Sequence, residues 1–334
     1  MVYLKRVFVT RKIPEKGIEL LREHFHIKVW RERRAPIKEE IVQEAAGFQG
    51  LVTLLSDPID GELISSLPQL QAICQYAVGY DNIDVDRATE RGIIITNTPG
   101  VLTETTADLT WALIMATCRR VVEGDRYVRR GEWQVAWGPK LLLGTDVYGS
   151  TLGIVGLGRI GSAVARRSLG FNMKVLYHNR SSNDRTKAIE DEIGAKRVSL
   201  EELLSESDIV TLHVPLNEST EGLIGQRELK MMKKGAVLVN TSRGAVIDEG
   251  ALISALKSGH LQAAGLDVFQ QEPVEQDNEL IRLPNTVVLP HIGSASYATR
   301  NRMSVMCAEN MIAALSGDEP PNVLNPEVLK QSST

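Results

Sequence analysis

Arg243, Glu272 and His291 each lie a few residues beyond a run of apolar and β-branched residues in the last third of the sequence. Side chains placed there gather just past the carboxyl ends of the strands, where open parallel sheets bind ligands. Together they suit hydride transfer to a 2-oxo acid. An arginine binds the carboxylate and polarises the carbonyl, a histidine gives a proton to the oxygen, and a glutamate orients the imidazole and stabilises its charged form. The runs are Ala236–Asn240, Ala263–Val268 and Thr286–Leu289.

Taken singly, each of these residues has a simpler interpretation. An arginine after a strand is usually a surface ion-pair partner, and a lone histidine is more often an ordinary loop residue. The other five histidines, His24 and His26 among them, are interpreted in that simpler way. The proposed chemistry therefore needs an independent sign of a cofactor.

A glycine-rich turn supplies that sign. Gly156, Gly158 and Gly161 form a Gly-x-Gly-x-x-Gly motif that follows the apolar run Leu152–Val155 and opens an amphipathic helix. The next strand-like run, Lys174–Tyr177, completes a βαβ unit of about thirty residues. The first glycine permits the tight turn, the second lets backbone approach a pyrophosphate, and the third lets the helix pack on the strand. The motif predicts a dinucleotide bound at the helix N-terminus.

The end of the second strand bears on the choice of dinucleotide. An acidic residue there would accept hydrogen bonds from the ribose 2′-hydroxyl of NAD, but this chain has Asn179, Arg180 and Ser181 instead. These side chains suit a 2′-phosphate. The sequence therefore predicts that NADP(H) is preferred and NAD(H) possible, with Arg180 as a plain solvated loop residue as the alternative.

Strand-like and helical segments alternate along the chain, which predicts parallel strands joined by crossover helices and hence an α/β fold. In the first hundred residues the predicted strands are Arg6–Thr10, Ile27–Trp30, Leu51–Leu55, Gln71–Gln75 and Ile93–Thr96, with a helix over Pro14–Phe25. Later strands are Thr151–Val155, Lys174–Tyr177 and Ile209–Val214, followed by the three runs given above.

Helix boundaries are predicted from capping residues and glycines. Ser199 with Glu202 predicts a capping box, and Asp248 predicts the N-cap of a helix that ends at Gly259. A last helix is predicted over Gly293–Ser316.

A long helix is predicted from about Thr103, with Thr105 and Asp108 as a capping pair. Over Leu109–Val122 its apolar residues cover almost the whole circumference, which is typical of a helix buried on all sides. This helix is expected in a domain or subunit interface, and with it a homodimer.

The composition restricts the classes of function. The chain has 334 residues, 43% hydrophobic and 24% charged, with a formal net charge of −4, so no basic balance points to nucleic acid. No apolar run of about 18 residues predicts a membrane span, and Met1–Thr10 has no signal-peptide pattern. Cys74, Cys118 and Cys307 lie in apolar contexts and are expected to be buried reduced thiols of a cytoplasmic protein. No metal site is predicted.

The chain resembles the D-isomer-specific 2-hydroxyacid dehydrogenases, and most of all their glyoxylate/hydroxypyruvate reductases. The resemblance covers nearly the full length, in the segments Tyr76–Asp84, Thr96–Gly100, Gly156–Gly161, Asn240–Gly244, Asp267–Pro273 and Pro290–Ala295. It implies that Arg243, Glu272 and His291 form the catalytic set. The implied reaction reduces glyoxylate or hydroxypyruvate to the 2-hydroxy acid, with His291 as proton donor.

The resemblance also implies ligand contacts. Substrate contacts are expected at Leu55, Val78, Gly79, Trp137, Arg243 and His291, with backbone N–H groups at Val78 and Gly79 binding the carboxylate. Cofactor contacts are expected at Thr106, Gly156, Gly158, Arg159, Ile160, Gly161, Asn179, Arg180, Ser181, Pro215, Thr220, Thr241, Ser242, Arg243, Asp267, His291 and Gly293. Trp137 matches a tryptophan that in the reductases can reach the neighbouring subunit's active site, and plain interface packing is an equal alternative.

Two doubly wound parallel-sheet domains with a cleft between them are implied in the same way. Residues 1–99 and 293–334 would form a discontinuous, flavodoxin-like substrate domain, and residues 100–292 a Rossmann cofactor domain that carries the long dimerisation helix. Alternatives with the same fold are a phosphoglycerate, formate or phosphite dehydrogenase. A dinucleotide-sensing corepressor, a binding protein without turnover, is the alternative from another class.

Overall fold

In a computed structural model, which describes residues 4–331, the chain divides into two compact units. The terminal unit contains the described residues up to Leu102 and again from Ala295, and the central unit is Thr103–Ser294. Two of the predictions include residues that the structure does not describe. They are Met1–Tyr3, from the segment expected to carry no signal peptide, and Ser332–Thr334, the end of the expected substrate domain.

Strands and helices alternate through both units. The strands are β1 (Arg6–Val9), β2 (His26–Val29), β3 (Gly50–Thr53), β4 (Ala72–Gln75), β5 (Ile94–Thr96), β6 (Thr151–Val155), β7 (Lys174–His178), β8 (Lys196–Arg197), β9 (Ile209–Leu212), β10 (Val237–Asn240), β11 (Ala263–Leu266) and β12 (Thr286–Val288). The α-helices are α1 (Glu15–His24), α2 (Lys38–Glu44), α3 (Gly61–Ser66), α4 (Val85–Glu90), α5 (Thr103–Cys118), α6 (Val121–Arg129), α7 (Arg159–Arg167), α8 (Asp184–Ile193), α9 (Leu200–Glu206), α10 (Gln226–Met231), α11 (Glu249–Lys257), α12 (Tyr297–Ser316) and α13 (Glu327–Gln331). Short 3-10 helices lie at Ser168–Phe171, Gly244–Val246 and Glu279–Ile281.

The terminal unit is a five-stranded sheet of order β2-β1-β3-β4-β5 with helices on both faces. Every pairing between these strands is parallel. On one face α1 and α12 bury Leu21 and Met311 against the sheet. On the other, α2, α3 and α4 bury Ile41, Leu63 and Ala88. The predicted doubly wound α/β class is confirmed here.

The central unit is a seven-stranded sheet of order β12-β11-β10-β9-β6-β7-β8, again parallel throughout. The inner strands β9 and β10 are buried along their whole length, which is why they are continuous runs of apolar and β-branched residues rather than alternating ones. The chain winds outward from β6 in both directions, so the strand order reverses between β6 and β9. Such a reversal leaves a crevice at the carboxyl ends of the strands. The predicted Rossmann architecture is confirmed.

The long helix begins at Thr103 as predicted, but its predicted capping pair and its predicted end are wrong. Thr105 lies inside α5, which begins at Thr103, so the Thr105–Asp108 capping pair is wrong. The helix ends at Cys118, and Arg120 adopts a left-handed conformation (φ +52°) before α6 begins. The prediction of one helix through Val122 is therefore wrong. Its buried residues, such as Trp111 and Ile114, pack within the core of the central unit itself.

The other predicted helix ends are close to the observed ones. Asp248 accepts the Ala251 N–H at the start of α11, as predicted. Ser199 accepts the Glu202 N–H in front of α9, but only this half of the predicted capping box forms. The last helix begins at Tyr297 rather than at Gly293, because Ser296 caps it through the Thr299 N–H.

Two expectations from composition can be compared with the structure. Cys74, Cys118 and Cys307 are buried free thiols, as predicted. Across residues 4–331, no helix combines the length and the apolar character that crossing a bilayer requires.

Candidate active site

The glycine-rich turn between β6 and α7 has room for a ligand on one side and none on the other. Gly156 has φ +98°, and a Cβ there would lie 2.8 Å from the His213 carbonyl. A Cβ at Gly161 would lie 2.2 Å from the Gly156 oxygen, whereas among residues 4–331 only the adjoining backbone comes within 4 Å of a Cβ at Gly158. Gly158 also precedes α7 without a side-chain cap, which leaves the helix amides for an anion. These features fit the pyrophosphate of a dinucleotide.

The residues after β7 are held against this turn. Asn179 Oδ1 accepts the Leu157 N–H at 2.6 Å, and Arg180 Nη1 donates to Ser219 Oγ at 3.0 Å. Arg197 on β8 donates to the carbonyl oxygens of Asn179 and Arg180, each at 3.0 Å. The interpretation of Asn179 as a donor to a phosphate is thus incomplete, because its side-chain oxygen supports the glycine-rich turn.

The loop after β9 contacts Arg180, because Ser219 in this loop accepts the Arg180 hydrogen bond. Within this loop Thr220 Oγ1 donates to the Pro215 carbonyl at 2.6 Å and accepts the Asn217 N–H at 2.9 Å. Two predicted cofactor contacts, Pro215 and Thr220, therefore belong to one hydrogen-bonded turn. Ser181, another predicted contact, is exposed.

Arg243 follows β10 on a tightly fixed turn. Asn240 at the end of the strand donates from Nδ2 to the Arg243 carbonyl at 2.8 Å and accepts the Ser242 N–H at 2.9 Å. A Cβ at Gly244 would lie 1.8 Å from the Phe269 carbonyl carbon, so this turn packs directly on the loop after β11. Thr241 is fixed from the other side by Thr110, with 2.9 Å between their hydroxyl oxygens.

Glu272 and His291 are in hydrogen-bonding contact, as the sequence led us to expect. His291 Nδ1 lies 2.7 Å from Glu272 Oε2, and Glu272 Oε1 accepts the Phe269 N–H at 3.1 Å. Burial acts to raise the pKa of the Glu272 carboxyl, but the His291 hydrogen bond and charge, the Phe269 N–H and the Arg243 charge outweigh it and hold the pKa below its ordinary value. The carboxylate is therefore ionised at neutral pH and contacts Nδ1 of the ring, so Nε2 is the nitrogen that Glu272 does not contact.

Asp267 positions the His291 segment. It is buried, and its two oxygens accept the N–H groups of Ile292 and Gly293, each at 2.8 Å. Burial raises the pKa of Asp267 above its ordinary value, although these two N–H groups and the nearby His291 oppose the shift. Directly before these two residues, His291 adopts φ +54°, a left-handed conformation that costs a residue with a Cβ some free energy. The sequence predicted Asp267 as a cofactor contact and gave no sign of this supporting role.

Thr106, on α5, also lies beside the His291 segment. A Cβ at Gly293 would lie 3.3 Å from Cγ2 of Thr106. The structure thus brings the following predicted site residues to the carboxyl edge of one sheet: Thr106, Gly156, Gly158, Arg159, Ile160, Gly161, Asn179, Arg180, Ser181, Pro215, Thr220, Thr241, Ser242, Arg243, Asp267, Glu272, His291 and Gly293. Sequence reasoning missed residues that support them, among them Thr110, Arg197, Ser219 and the Phe269 amide. None of these has a motif of its own.

The predicted substrate contacts of the terminal unit follow two neighbouring strands. Leu55 lies two residues past β3, and Val78 and Gly79 lie just past β4. The Val78 carbonyl accepts from Asn97 Nδ2 at 2.8 Å, and the Gly79 carbonyl accepts from Gln75 Nε2 at 3.2 Å. With both carbonyl oxygens held by buried amides, the loop keeps a fixed backbone. Trp137 belongs to the central unit, where it is 77% exposed.

The Glu272–His291 pair gives a pH-dependent prediction. Glu272→Gln removes the negative charge that stabilises a protonated imidazole, so the proton should leave at a lower pH. For a reaction that consumes this proton, the alkaline limb of the kcat profile should move to lower pH. The measurement is kcat against pH for both proteins, with Glu275→Gln, an exposed neighbour on the same loop, as control. An unshifted limb in Glu272→Gln would remove Glu272 from proton transfer.

Comparison with known proteins identifies the family of this chain. The family model "D-isomer specific 2-hydroxyacid dehydrogenase, NAD binding domain" matches residues 111–293. The chain is 56% identical over 325 residues to a glyoxylate reductase of Korarchaeum cryptofilum, with 97% of each chain covered. A solved structure from Thermus thermophilus is 48% identical, with a TM-score of 0.89 and coverage of 96% of this chain and 99% of that one. An NADPH-dependent glyoxylate/hydroxypyruvate reductase of Sinorhizobium meliloti, in complex with NADP and malonate, is 32% identical, with a TM-score of 0.85 and coverage of 96% and 97%. The chain therefore belongs to the D-isomer specific 2-hydroxyacid dehydrogenase family.

Proposed function

We propose that this enzyme reduces glyoxylate and hydroxypyruvate to glycolate and D-glycerate, with NADPH as the preferred cofactor and NADH as a possible one. The observation that carries the proposal is the 2.7 Å contact between Glu272 and His291, on the same sheet edge as Arg243 and the glycine-rich turn. The names of the relatives point to the same substrates. The central unit is the proposed cofactor domain and the terminal unit the proposed substrate domain.

Each catalytic residue has one proposed task. Arg243 binds the substrate carboxylate and polarises the 2-oxo group, because its guanidinium can make two parallel hydrogen bonds. His291, protonated and held at Nδ1 by Glu272, donates the Nε2 proton to the carbonyl oxygen. NADPH, when bound, supplies the hydride to the carbonyl carbon. Leu55 and the backbone N–H groups of Val78 and Gly79 are proposed as the remaining substrate contacts.

The direct test is steady-state reduction of glyoxylate and of hydroxypyruvate with NADPH. Both substrates should turn over, and 2-oxo acids with bulky branched or aromatic groups should be poor. Tight NADPH binding without turnover of any 2-oxo acid would contradict the proposal and favour a binding protein.

The preference for NADPH rests on the residues after β7. Arg180 is exposed and carries the charge that a 2′-phosphate would pair with, and one charge-assisted hydrogen bond contributes about 1.5–3 kcal/mol. We therefore expect kcat/KM with NADPH to exceed that with NADH by at least about tenfold. Asn179→Asp should reduce or invert the ratio, because the added charge repels a phosphate. This substitution keeps an oxygen for the Leu157 N–H.

A charge-matched pair of variants separates this site from general electrostatics. Arg180→Ala should lower kcat/KM for NADPH and leave that for NADH nearly unchanged. Arg185→Ala removes the same charge from the exposed surface of α8 and should change neither value. Equal use of the two cofactors by the unmodified enzyme would leave Arg180 as an ordinary loop residue.

A homodimer is the proposed assembly, and the cytoplasm the proposed location. Exposed large apolar side chains are concentrated in one stretch of the central unit, at Val121, Val128, Trp133, Val135, Trp137, Leu141, Leu143 and Tyr148. Patches of this kind mark interaction surfaces, and two-fold dimers are the commonest closed assemblies. Trp137 is proposed to lie in this interface and to approach the partner's substrate.

Sedimentation should give the mass of a dimer at micromolar concentration. The double variant Val121→Asp, Val128→Asp places two charges on this stretch and should sediment as a monomer. Tyr297→Asp alters a side chain that is 96% exposed on the terminal unit and should leave the dimer intact. A stable, active monomer of the unmodified chain would contradict the proposal.

A further inference from the structure

Two of the three cysteines lie in contact in the terminal unit. Cys74 is on β4 and Cys307 on α12, and both are fully buried. Their sulfur atoms are 2.8 Å apart, and Cys74 Sγ also donates to the Cys307 carbonyl oxygen at 3.2 Å. Neither residue belongs to the site described above, and the chemistry of that site does not use them.

The surrounding structure holds the two sulfurs at this separation. Met303 and Met311 of α12 pack in the same apolar cluster as Cys74 and Cys307. Just past β4, Tyr76 donates from its hydroxyl to the Arg300 carbonyl of α12 at 2.7 Å. A disulfide has sulfurs about 2.05 Å apart, so closing the bond needs a movement of less than about 1 Å. The third cysteine, Cys118, lies on α5 in the central unit.

We propose that Cys74 and Cys307 are an oxidisable pair that closes into a buried disulfide joining the β4 strand to the last long helix. The oxidant is a low-molecular-weight disulfide such as oxidised glutathione. One cysteine thiolate attacks it, forming a mixed disulfide and releasing one small thiol. The second cysteine then displaces the other small thiol and completes the S–S bond. Two protein thiols lose two electrons and two protons, and one small disulfide is reduced to two thiols.

Burial determines when the bond can form and how long it lasts. Desolvation, together with the hydrogen bond and charge of Cys74, raises the pKa of Cys307 well above its ordinary value. Thiolate is the reactive form, so exchange is slow once the unit is closed and proceeds while the chain folds or opens. The same enclosure keeps small thiols away from the finished bond, so a reducing compartment removes it slowly.

The bond links two stretches of the terminal unit that the whole central unit separates in sequence. The two cysteines are 233 positions apart, and a cross-link over so long a loop removes much of the freedom of the unfolded chain. The oxidised protein should therefore melt roughly 5–10 °C higher than the reduced one. This inference is independent of the proposed reaction, since both cysteines lie outside the catalytic set.

The test counts thiols in the full-length protein. The chain is unfolded and refolded in a mixture of oxidised and reduced glutathione, which reverses mixed disulfides at a cysteine without a partner, or in a reducing agent alone, and thiols are then alkylated in denaturant. We expect one reactive thiol, Cys118, after oxidation and three after reduction. The oxidised sample should also yield one peptide pair joining Cys74 to Cys307, lighter by two hydrogens. Three reactive thiols in both samples, or a bond that includes Cys118, would overturn the proposal.

Single variants add a second measurement. Cys118→Ala should keep the difference in Tm between oxidised and reduced protein, whereas Cys307→Ala and Cys74→Ala should each abolish it. An equal difference in all three variants would also overturn the proposal. Should a cysteine variant fail to fold, the thiol count on the unmodified chain still decides.

Discussion

Replacing His291 with alanine should lower kcat for glyoxylate reduction by roughly a hundredfold or more, while the Kd for NADPH stays nearly constant. The magnitude is the usual share of a positioned general acid. We expect a loss of this size because Glu272 Oε2 lies 2.7 Å from Nδ1 of the His291 ring. This contact leaves Nε2 as the proposed proton donor. The measurements are kcat at saturating substrate and NADPH affinity by fluorescence titration.

The left-handed backbone of His291 makes a second variant necessary. His291 has φ +54°, so a loss in the alanine variant could come from a distorted loop rather than from the missing proton. Asparagine adopts the left-handed conformation readily but carries no acid of this kind, and His291→Asn should lose as much activity as the alanine variant. His24→Ala, on the exposed end of α1, is the control and should be fully active. Turnover near the normal rate in His291→Asn would remove the imidazole from the mechanism.

Replacing Arg243 with lysine should raise KM for glyoxylate roughly tenfold or more and also lower kcat. Lysine keeps the charge but not the planar pair of donors, so at least one charge-assisted hydrogen bond of about 1.5–3 kcal/mol is lost. Loss from both constants is expected because the guanidinium is proposed to touch the carboxylate and the reacting carbonyl. Initial rates over a range of glyoxylate concentrations give the two constants.

The turn that carries Arg243 should survive this change. Asn240 holds it through backbone groups of residues 242 and 243, which a change of side chain leaves in place. Arg227→Lys, at an exposed ion pair with Glu201 in the same unit, is the matched control and should have unchanged kinetics. If Arg243→Lys behaved like this control, Arg243 would be a surface ion-pair partner and the substrate carboxylate would bind elsewhere.

The sheets could be predicted from sequence because their signal is local. Buried parallel strands must be short apolar runs, so β3, β9 and β10 were visible as such. The end of α5 could not be predicted in this way, because it depends on residues far along the chain. The Cys118 carbonyl accepts the Thr145 N–H, and a Cβ at Gly144 would lie 2.1 Å from that oxygen. The loop that contains Gly144 and Thr145 thus occupies the place where the next turn of helix would lie. The apolar residues continue past Cys118 in the sequence, so their pattern does not indicate where the helix ends.

The candidate site divides in the same way. Gly156, Gly158 and Gly161 were predictable because each must lack a Cβ for a separate reason. The role of Asp267 depends on the N–H groups of residues 292 and 293, which meet it only once β11 and β12 are paired. Arg197 was hidden for another reason, since β8 has two residues and too little pattern to identify.

The division of the terminal unit into two stretches sets an order on its synthesis. Its helix α12, which covers α1 and one face of the sheet, begins only at Tyr297. A ribosome must therefore translate all of Thr103–Ser294 before that cover exists, which takes roughly 10–40 s at about 5–20 residues per second. During this interval Ile18 and Leu21 of α1 lack the α12 residues that share their apolar cluster in the finished protein. The first stretch of the terminal unit thus leaves the ribosome before the central unit, and the nascent chain carries this stretch without its α12 cover while the central sheet forms.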